Sequence, residues 1–132
     1  MTIHPTHSDK SKEALPILVV DDDIATREGL RMVLLIEGYQ VVIARDGREA
    51  LQEVMRNQYG LILLDSDMPV MTGREFIKAY DKEPGSHSPV IICSGRTREI
   101  NEVFPPFVKA EILKPVEISD LIALVQQQYI TF

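Results

Sequence analysis

The length, composition and charge of this chain restrict the classes of protein to which it can belong. It has 132 residues, 45% of them hydrophobic, and its 20 acidic and 14 basic residues give a net charge of −6. This length allows one hydrophobic core, and scattered basic residues in an acidic chain argue against direct nucleic-acid binding. A single cysteine, Cys93, excludes an internal disulfide, and no apolar run approaches the roughly 20 residues of a membrane span. We therefore predict a cytoplasmic protein without membrane insertion.

The chain begins with a polar segment and continues into an alternating pattern. Residues 1–14 lack the apolar core of a signal peptide and are predicted to be a disordered tail, which leaves residues 15–132 as one domain. Short apolar runs then alternate with longer amphipathic segments, the pattern of a doubly wound parallel sheet covered by helices, which places the chain in the α/β class. The predicted strands are Pro16–Val20, Val41–Ala44, Leu61–Leu64, Val90–Cys93 and Ala110–Leu113.

Helical periodicity fills the first three segments between these strands. The segment "TREGLRMVLLIEG" predicts a helix that ends at Gly38, a residue suited to the left-handed cap. A second helix is predicted to begin after Asp46 as its N-cap, and a third after Gly73. The apolar positions expected to be buried are Leu30, Val33 and Leu34, then Ala50, Leu51, Val54 and Met55, then Phe76, Ile77 and Tyr80.

The C-terminal third carries one weak and one strong helical signal. Only about two turns around Arg98–Val103 have a helical pattern, because Pro105 and Pro106 lack amide donors and end any helix there. The last helix is predicted from about Val116. Its apolar stripe consists of Ile118, Leu121, Ile122, Val125 and Tyr129, with Glu117 and Asp120 in the first turn.

Polar side chains follow four of the predicted strands at the point where each strand ends. They are Asp21, Asp22 and Asp23 after the first, Asp65 after the third, Ser94 after the fourth and Lys114 after the fifth. The carboxyl ends of parallel strands lie at the same edge of the sheet, where open α/β sheets bind ligands. Each feature alone is commonplace, since an acidic triplet is often a helix cap and a lysine before a proline is often a loop residue. Their joint placement favours a single site.

The residue types at this edge suit phosphoryl chemistry. Two carboxylates about 4 Å apart repel by about 4 kcal/mol at an effective dielectric near 20, so clustered aspartates require a positive partner. Oxygen ligands without histidine or cysteine favour Mg²⁺ or Mn²⁺ over zinc. A lysine and a hydroxyl add donors that can hold a phosphoryl group. Asp65 is then the candidate nucleophile.

Four motifs together resemble the receiver domain of two-component response regulators. They are "PILVVDDDIATREGL", "LILLDSDMPVMTG", "PVIICSGR" and "ILKPVE", within a stretch from Leu15 to Tyr129. The resemblance implies a flavodoxin-like (βα)₅ fold with strand order 2-1-3-4-5. It also implies transfer of a phosphoryl group from the phosphohistidine of a sensor histidine kinase or phosphotransfer protein, with output through contacts to a downstream protein.

The resemblance also implies a role for each site residue. Asp65 is the phosphoacceptor. Asp22 and Asp65 ligate the metal directly, Asp21 mainly through water, and Asp67 through its backbone carbonyl. The remaining two residues bind the phosphoryl group, Ser94 through its hydroxyl and Lys114 through an ion pair.

Two features depart from the family pattern or extend it. Glu111 stands three residues before Lys114, where most receivers have an aromatic residue. Together with "FPPF", Phe104 to Phe107, this predicts a non-standard output surface in which the two phenylalanines contact a partner. Separately, Asp67 and Arg96 flank the phosphoryl position, and we predict that the pair restricts attacking water and sets the lifetime of the signal.

Two alternative functions remain open at this point. "LILLDSD" also resembles the Asp-x-Asp opening of haloacid-dehalogenase-type phosphatases, but that motif normally lies on the first strand of a longer chain. A receiver-like module that binds partners without being phosphorylated is the second alternative. The favoured function is the non-enzymatic receiver.

Overall fold

Five parallel strands and four helices make up the part of the chain that the structure describes, residues 14–95 and 103–130 of a computed structural model. The strands are Ile17–Val20 (β1), Val41–Ala44 (β2), Leu61–Asp65 (β3), Val90–Ser94 (β4) and Val108–Leu113 (β5). The helices are Ile24–Ile36 (α1), Gly47–Arg56 (α2), Gly73–Asp81 (α3) and Ile118–Gln128 (α4). The strands are ordered β2-β1-β3-β4-β5, which confirms the predicted flavodoxin-like α/β fold.

The helices begin and end where local chemistry satisfies their free backbone groups. Asp23 caps α1 by accepting a hydrogen bond from the amide of Thr26, and Asp46 caps α2 through the amide of Glu49. Helix α3 begins with a capping box in which Thr72 and Glu75 each bind the other's backbone amide. After α1, Gly38 adopts a φ of 97°, as predicted for a left-handed cap.

The sheet separates two apolar layers because neighbouring residues of a strand face opposite sides. On β1, Ile17 and Val19 pack with α1 and α4, while Leu18 and Val20 pack with α2 and α3. The strands are buried along nearly their whole length in β1, β3 and β4, which explains their continuous apolar sequences. The polar residues that follow these strands therefore lie at the rim of a closed core.

Several predicted details were wrong or fall outside the described residues. Met55 and Ile118, expected in the core, are 61% and 44% exposed: Met55 lies at the margin of the apolar face of α2, and Ile118 is the first residue of α4. β5 begins at Val108, two residues earlier than predicted, and a register shift between Val90 and Ile91 accommodates it. The weak helix around 98–103 lies outside the described residues except for Val103, which is not helical.

The phenylalanines of "FPPF" are not both at the surface. Phe107 is 9% exposed, stacks on the ring of His87 and meets the ring of Tyr80 edge-on. Phe104 is half-buried against the same apolar layer. The expectation that both contact a partner is therefore wrong for Phe107, whose ring belongs to the core. Within the described ranges, no helix has the length and apolar character needed to cross a membrane.

Candidate functional site

The register of the two central strands places two aspartates side by side. Val20 of β1 pairs with Leu64 of β3, so the next residues, Asp21 and Asp65, emerge together at the carboxyl edge of the sheet. Asp21 is 2% and Asp65 4% exposed, whereas Asp22 is exposed to solvent. One carboxylate oxygen from each of the three lies within 4.8 Å of the others. The predicted convergence of Asp21, Asp22 and Asp65 is thus present in the structure.

Lys114 reaches this cluster from the end of β5. Its backbone amide donates to the carbonyl oxygen of Ser94 at 2.8 Å, which fixes the residue beside the end of β4. Its Nζ donates to Oδ1 of Asp65 at 3.0 Å and lies 3.6 Å from Oδ2 of Asp21. A long side chain is required because β4 separates β3 from β5. The peptide between Lys114 and Pro115 is cis.

Burial and charge together set the protonation of the two central groups. Burial raises the pKa of Asp65, the hydrogen bond from Lys114 opposes this, and the charge of Asp21 raises the pKa further. Burial works against the charged form of Lys114, but the hydrogen bond to Asp65 and the charges of both aspartates outweigh it and raise the pKa of the lysine. One ammonium group thus faces an excess of negative charge.

The charges and ligand atoms of the cluster fit a divalent cation. Three carboxylates and one ammonium, all ionised, sum to −2 (−3 + 1), the charge that Mg²⁺ or Mn²⁺ would neutralise. The ligand atoms are all carboxylate oxygens, which hard cations prefer. The residues present therefore fit the cation that the sequence predicted.

The other predicted site residues border the cluster. Ser94 is 1% exposed at the end of β4, the strand next to β3. Asp67 donates its backbone amide to Oδ1 of Asp65 at 3.3 Å, while its side chain is exposed. Glu111 is half-buried on β5, paired with Ile92 in the register of the sheet. Arg96 lies outside the described residues, so its predicted pairing with Asp67 stays a prediction.

The third aspartate of the "DDD" run has a different role. Oδ2 of Asp23 accepts hydrogen bonds from the amide and the hydroxyl of Thr26, at 2.9 and 2.6 Å. The hydroxyl bond, followed by the amide bond, lowers the pKa of this exposed carboxyl. For Asp23 the helix-cap explanation is therefore correct.

The loop after β3 holds the site edge in a strained shape. Val70 has a φ of 70°, and the amide of Met71 donates to the carbonyl oxygen of Pro69 at 2.7 Å, which together define a γ-turn. Two glycines allow the loop to approach its neighbours closely. A Cβ on Gly73 would lie 2.6 Å from the carbonyl oxygen of Asp65, and one on Gly47 would lie 2.7 Å from that of Met71.

Two buried polar residues near the site were not predicted. Ser66 follows Asp65 and is 4% exposed, and its hydroxyl has no hydrogen-bond partner among the described residues. Arg27 of α1 is 7% exposed and donates from Nη1 to the carbonyl oxygen of Asp21. The spacing of Arg27 with Leu30 and Leu34, three and seven residues later, could have indicated a buried arginine, because these positions share one helical face.

Comparison with known proteins gives one consistent result. Residues 17–126 match the response regulator receiver domain family. The response regulator MprA of Mycolicibacterium vanbaalenii is 40% identical over 80 residues, which are 61% of this chain and 34% of that protein. Among solved structures, a CheY-like response regulator receiver domain protein of Methanospirillum hungatei has a TM-score of 0.75 at 32% identity, covering 87% of this chain and 93% of that one.

A second solved structure is similar to nearly the same extent. The response regulator TrrA of Thermotoga maritima, in complex with Mg²⁺-BeF, has a TM-score of 0.77 at 27% identity, covering 86% of this chain and 98% of that one. The chain spans about half, or less, of the length of the curated relatives that it matches. These similarities do not favour the Asp-x-Asp phosphatase or the phosphorylation-independent module.

Proposed function

The chain belongs to the response regulator receiver domain family, and on that premise we propose that Asp65 accepts a phosphoryl group from the phosphohistidine of a sensor histidine kinase or a phosphotransfer protein. The observation that carries this proposal is the position of Asp65, buried at the sheet edge between the acidic residues of β1 and the ammonium group of Lys114. An aspartate that served only stability would not be buried beside another carboxylate.

The transfer forms one bond and breaks one. A carboxylate oxygen of Asp65 attacks the phosphorus atom, the phosphorus–nitrogen bond to histidine breaks, and the electron pair of that bond stays with the imidazole, which takes up a proton. Lys114 favours the ionised, nucleophilic form of Asp65 through its hydrogen bond at 3.0 Å. Lys114 then pairs with the phosphoryl oxygens, and Ser94 donates its hydroxyl to them.

A divalent cation, Mg²⁺ or Mn²⁺, belongs to this proposal. Asp22 and Asp65 would ligate it directly with their carboxylates, Asp21 mainly through water, and Asp67 through its backbone carbonyl. When bound, such a cation neutralises negative charge on the transferred group. The complex of TrrA with Mg²⁺-BeF supports this part by similarity.

The wider setting is proposed from the family. We place the domain at residues 15–132, after a tail at 1–14, in the cytoplasm. The domain consumes one phosphodonor per acceptor aspartate instead of turning over substrate as an enzyme does. Output runs through protein contacts on the face of β5 that carries Glu111, where a carboxylate replaces the usual aromatic side chain.

The proposal is tested by mass spectrometry of the intact chain. After incubation with acetyl phosphate and Mg²⁺, we expect one added phosphoryl group on the wild type, none on Asp65→Asn and none when EDTA replaces Mg²⁺. Asp81→Asn is the matched control, since this exposed carboxylate at the end of α3 is outside the site, and it should be modified as the wild type is. If a phosphohistidine donor also left the wild type unmodified, the proposal would be wrong.

A further inference from the structure

Arg27 is a charged side chain buried beneath the acidic end of the sheet. It is 7% exposed, and its Nη1 donates to the backbone carbonyl oxygen of Asp21 at 3.0 Å. No acceptor in the described part of the chain faces its buried Nε. Burying a guanidinium group with an unpaired donor costs free energy, and an apolar side chain of similar volume would usually fit such a position at least as well. Stability alone therefore does not account for this arginine.

The contacts of Arg27 fix the backbone on both sides of Asp22. Its side chain holds the peptide group between Asp21 and Asp22 through the carbonyl oxygen of Asp21. Independently of the side chain, its backbone amide donates to the carbonyl oxygen of Asp23 at 2.9 Å, as the first hydrogen bond of α1, and holds the peptide group after that residue. The peptide group between them is held by Oδ1 of Asp21, which accepts from the amide of Asp23 at 2.9 Å. Three consecutive peptide groups around Asp22 are thus oriented.

This arrangement matters because Asp22 is exposed, so that its backbone, and not packing, aims its carboxylate. We propose that Arg27 is a positioning residue for the cation site: through the carbonyl group of Asp21, its guanidinium group keeps the carboxylates of Asp21 and Asp22 directed toward that of Asp65. The inference rests on the proposed function, of which the cation site is a part.

Arg27 has two opposing effects on a cation at this site. Its positive charge repels the cation, while its hydrogen bond orders the ligands. The guanidinium group contacts a carbonyl oxygen and not a ligand carboxylate. Losing a partner that is hydrogen-bonded directly to a ligand typically weakens metal binding by about 10-fold to 100-fold, and a bond to the backbone of a ligand residue should fall at the lower end of that range. We expect positioning to outweigh repulsion, so that removing Arg27 weakens binding.

The first measurement is a Mg²⁺ titration of the full chain, in which binding is monitored through the backbone amide chemical shifts. Arg27→Met keeps the volume but loses the charge and the donors, and we expect its Mg²⁺ affinity to be about 10-fold lower than that of the wild type. Arg27→Leu, a second neutral variant without donors in case Arg27→Met does not fold, should show the same loss. Arg27→Lys keeps the charge and an ammonium group with three N–H donors, and should recover most of the affinity. Equal or tighter Mg²⁺ binding by the folded neutral variant would overturn the proposal.

Arg31→Met is the matched control on the same helix. The side chain of Arg31 is half exposed and pairs with Glu28, away from the acidic cluster. Its Mg²⁺ affinity should equal that of the wild type.

The second measurement needs no cation and no phosphodonor. In EDTA, we expect the amide hydrogen of Asp23 to exchange with solvent several-fold faster in Arg27→Met than in the wild type or Arg31→Met, because the turn is loosened. Unchanged exchange would overturn the positioning role. A wild type that bound no Mg²⁺ would instead refute the cation site of the proposed function, while the exchange rates would still decide whether Arg27 orders the turn.

Discussion

The two ends of the sheet differ in how well their polar groups are satisfied. At the amino end, the amide of Ser88 donates to the hydroxyl of Tyr80, and its own hydroxyl donates to the carbonyl oxygen of Tyr59, both at 2.7 Å. At the carboxyl end, Asp21 and Asp65 are buried side by side, with Lys114 shared between them. The amino end has complementary partners, whereas the carboxyl end carries an excess of negative charge. The proposed site therefore lies at the end of the strands where charge is less well compensated.

Removing an aromatic ring from the amino end should have the largest effect on stability. The rings of Phe107, His87 and Tyr80 contact one another, and the centroid of Phe107 lies 4.8 Å from that of His87 and 5.1 Å from that of Tyr80. We expect Phe107→Ala to lower the free energy of unfolding by about 3 kcal/mol in urea denaturation, because it leaves a cavity in the core. Phe104→Ala, at the half-buried margin of the same layer, should cost less. If Phe107→Ala were as stable as the wild type, the ring of Phe107 would again be a candidate for contact with a partner protein.

The carboxyl end should instead respond to a cation. Ligand binding to the native state alone stabilises it by about 1.4 kcal/mol when Mg²⁺ is present at about ten times its dissociation constant. We expect the wild type to gain this amount in thermal or urea unfolding and Asp65→Asn to gain much less. Asp81→Asn should gain as much as the wild type. If Asp65→Asn were stabilised equally, Asp65 would not be a ligand.

Without a cation, the acidic end should weaken the fold as pH rises. Because the pKa of Asp65 is raised in the folded chain, mainly by burial, the native state binds a proton more tightly than the unfolded state. The stability of the wild type in EDTA should therefore fall as pH rises from about 4 through the folded pKa. We expect Asp65→Asn to be more stable than the wild type at pH 7, on the order of 1 kcal/mol, and to show a smaller difference at pH 4. An equal difference at both pH values would contradict this account.

The features that could be predicted from the sequence are those fixed by the geometry of the parallel strands. Strands were predictable because short continuous apolar runs such as Leu61–Leu64, alternating with amphipathic helical segments, are typical of the buried strands of a parallel sheet. The convergence of the acidic residues followed from the geometry of parallel strands, before any contact was known. Residues at the margins and ends of helices were less predictable, because the exposure of Met55 and Ile118 depends on how each helix is rotated against the sheet and on where it begins.

The missed features are side-chain placements that depend on the folded chain. Arg27 was not predicted because a charged residue on an amphipathic helix usually lies at the surface, and its spacing with Leu30 and Leu34 is the one signal that could have indicated burial. Phe107 stands in a segment without periodicity, so the sequence could not distinguish a core ring from a surface ring. Its place became clear only from the rings of His87 and Tyr80.

The smallest effect is expected in the strained loop at the rim of the acidic end. Val70 is 73% exposed, so its side chain contributes little packing, yet its φ of 70° is unfavourable for a β-branched residue. Relieving a left-handed backbone gains about 1 to 2 kcal/mol, and the flexibility of glycine in the unfolded chain removes about half of that. We expect Val70→Gly to raise the free energy of unfolding by about 0.5 to 1 kcal/mol, measured in urea.

Val70→Ala separates relief of strain from loss of the exposed valine side chain. It removes the exposed methyl groups but keeps a Cβ at the φ of 70°, so it should raise stability less than Val70→Gly does. If Val70→Gly stabilises the chain and phosphorylation of Asp65 by acetyl phosphate is slowed, the strained turn contributes to the reactive geometry at the cost of stability, as the buried carboxylates do. If stability rises and the rate of phosphorylation is unchanged, the strain in this loop is independent of the chemistry. The loss of stability that the proposed site requires then comes from its clustered charges alone.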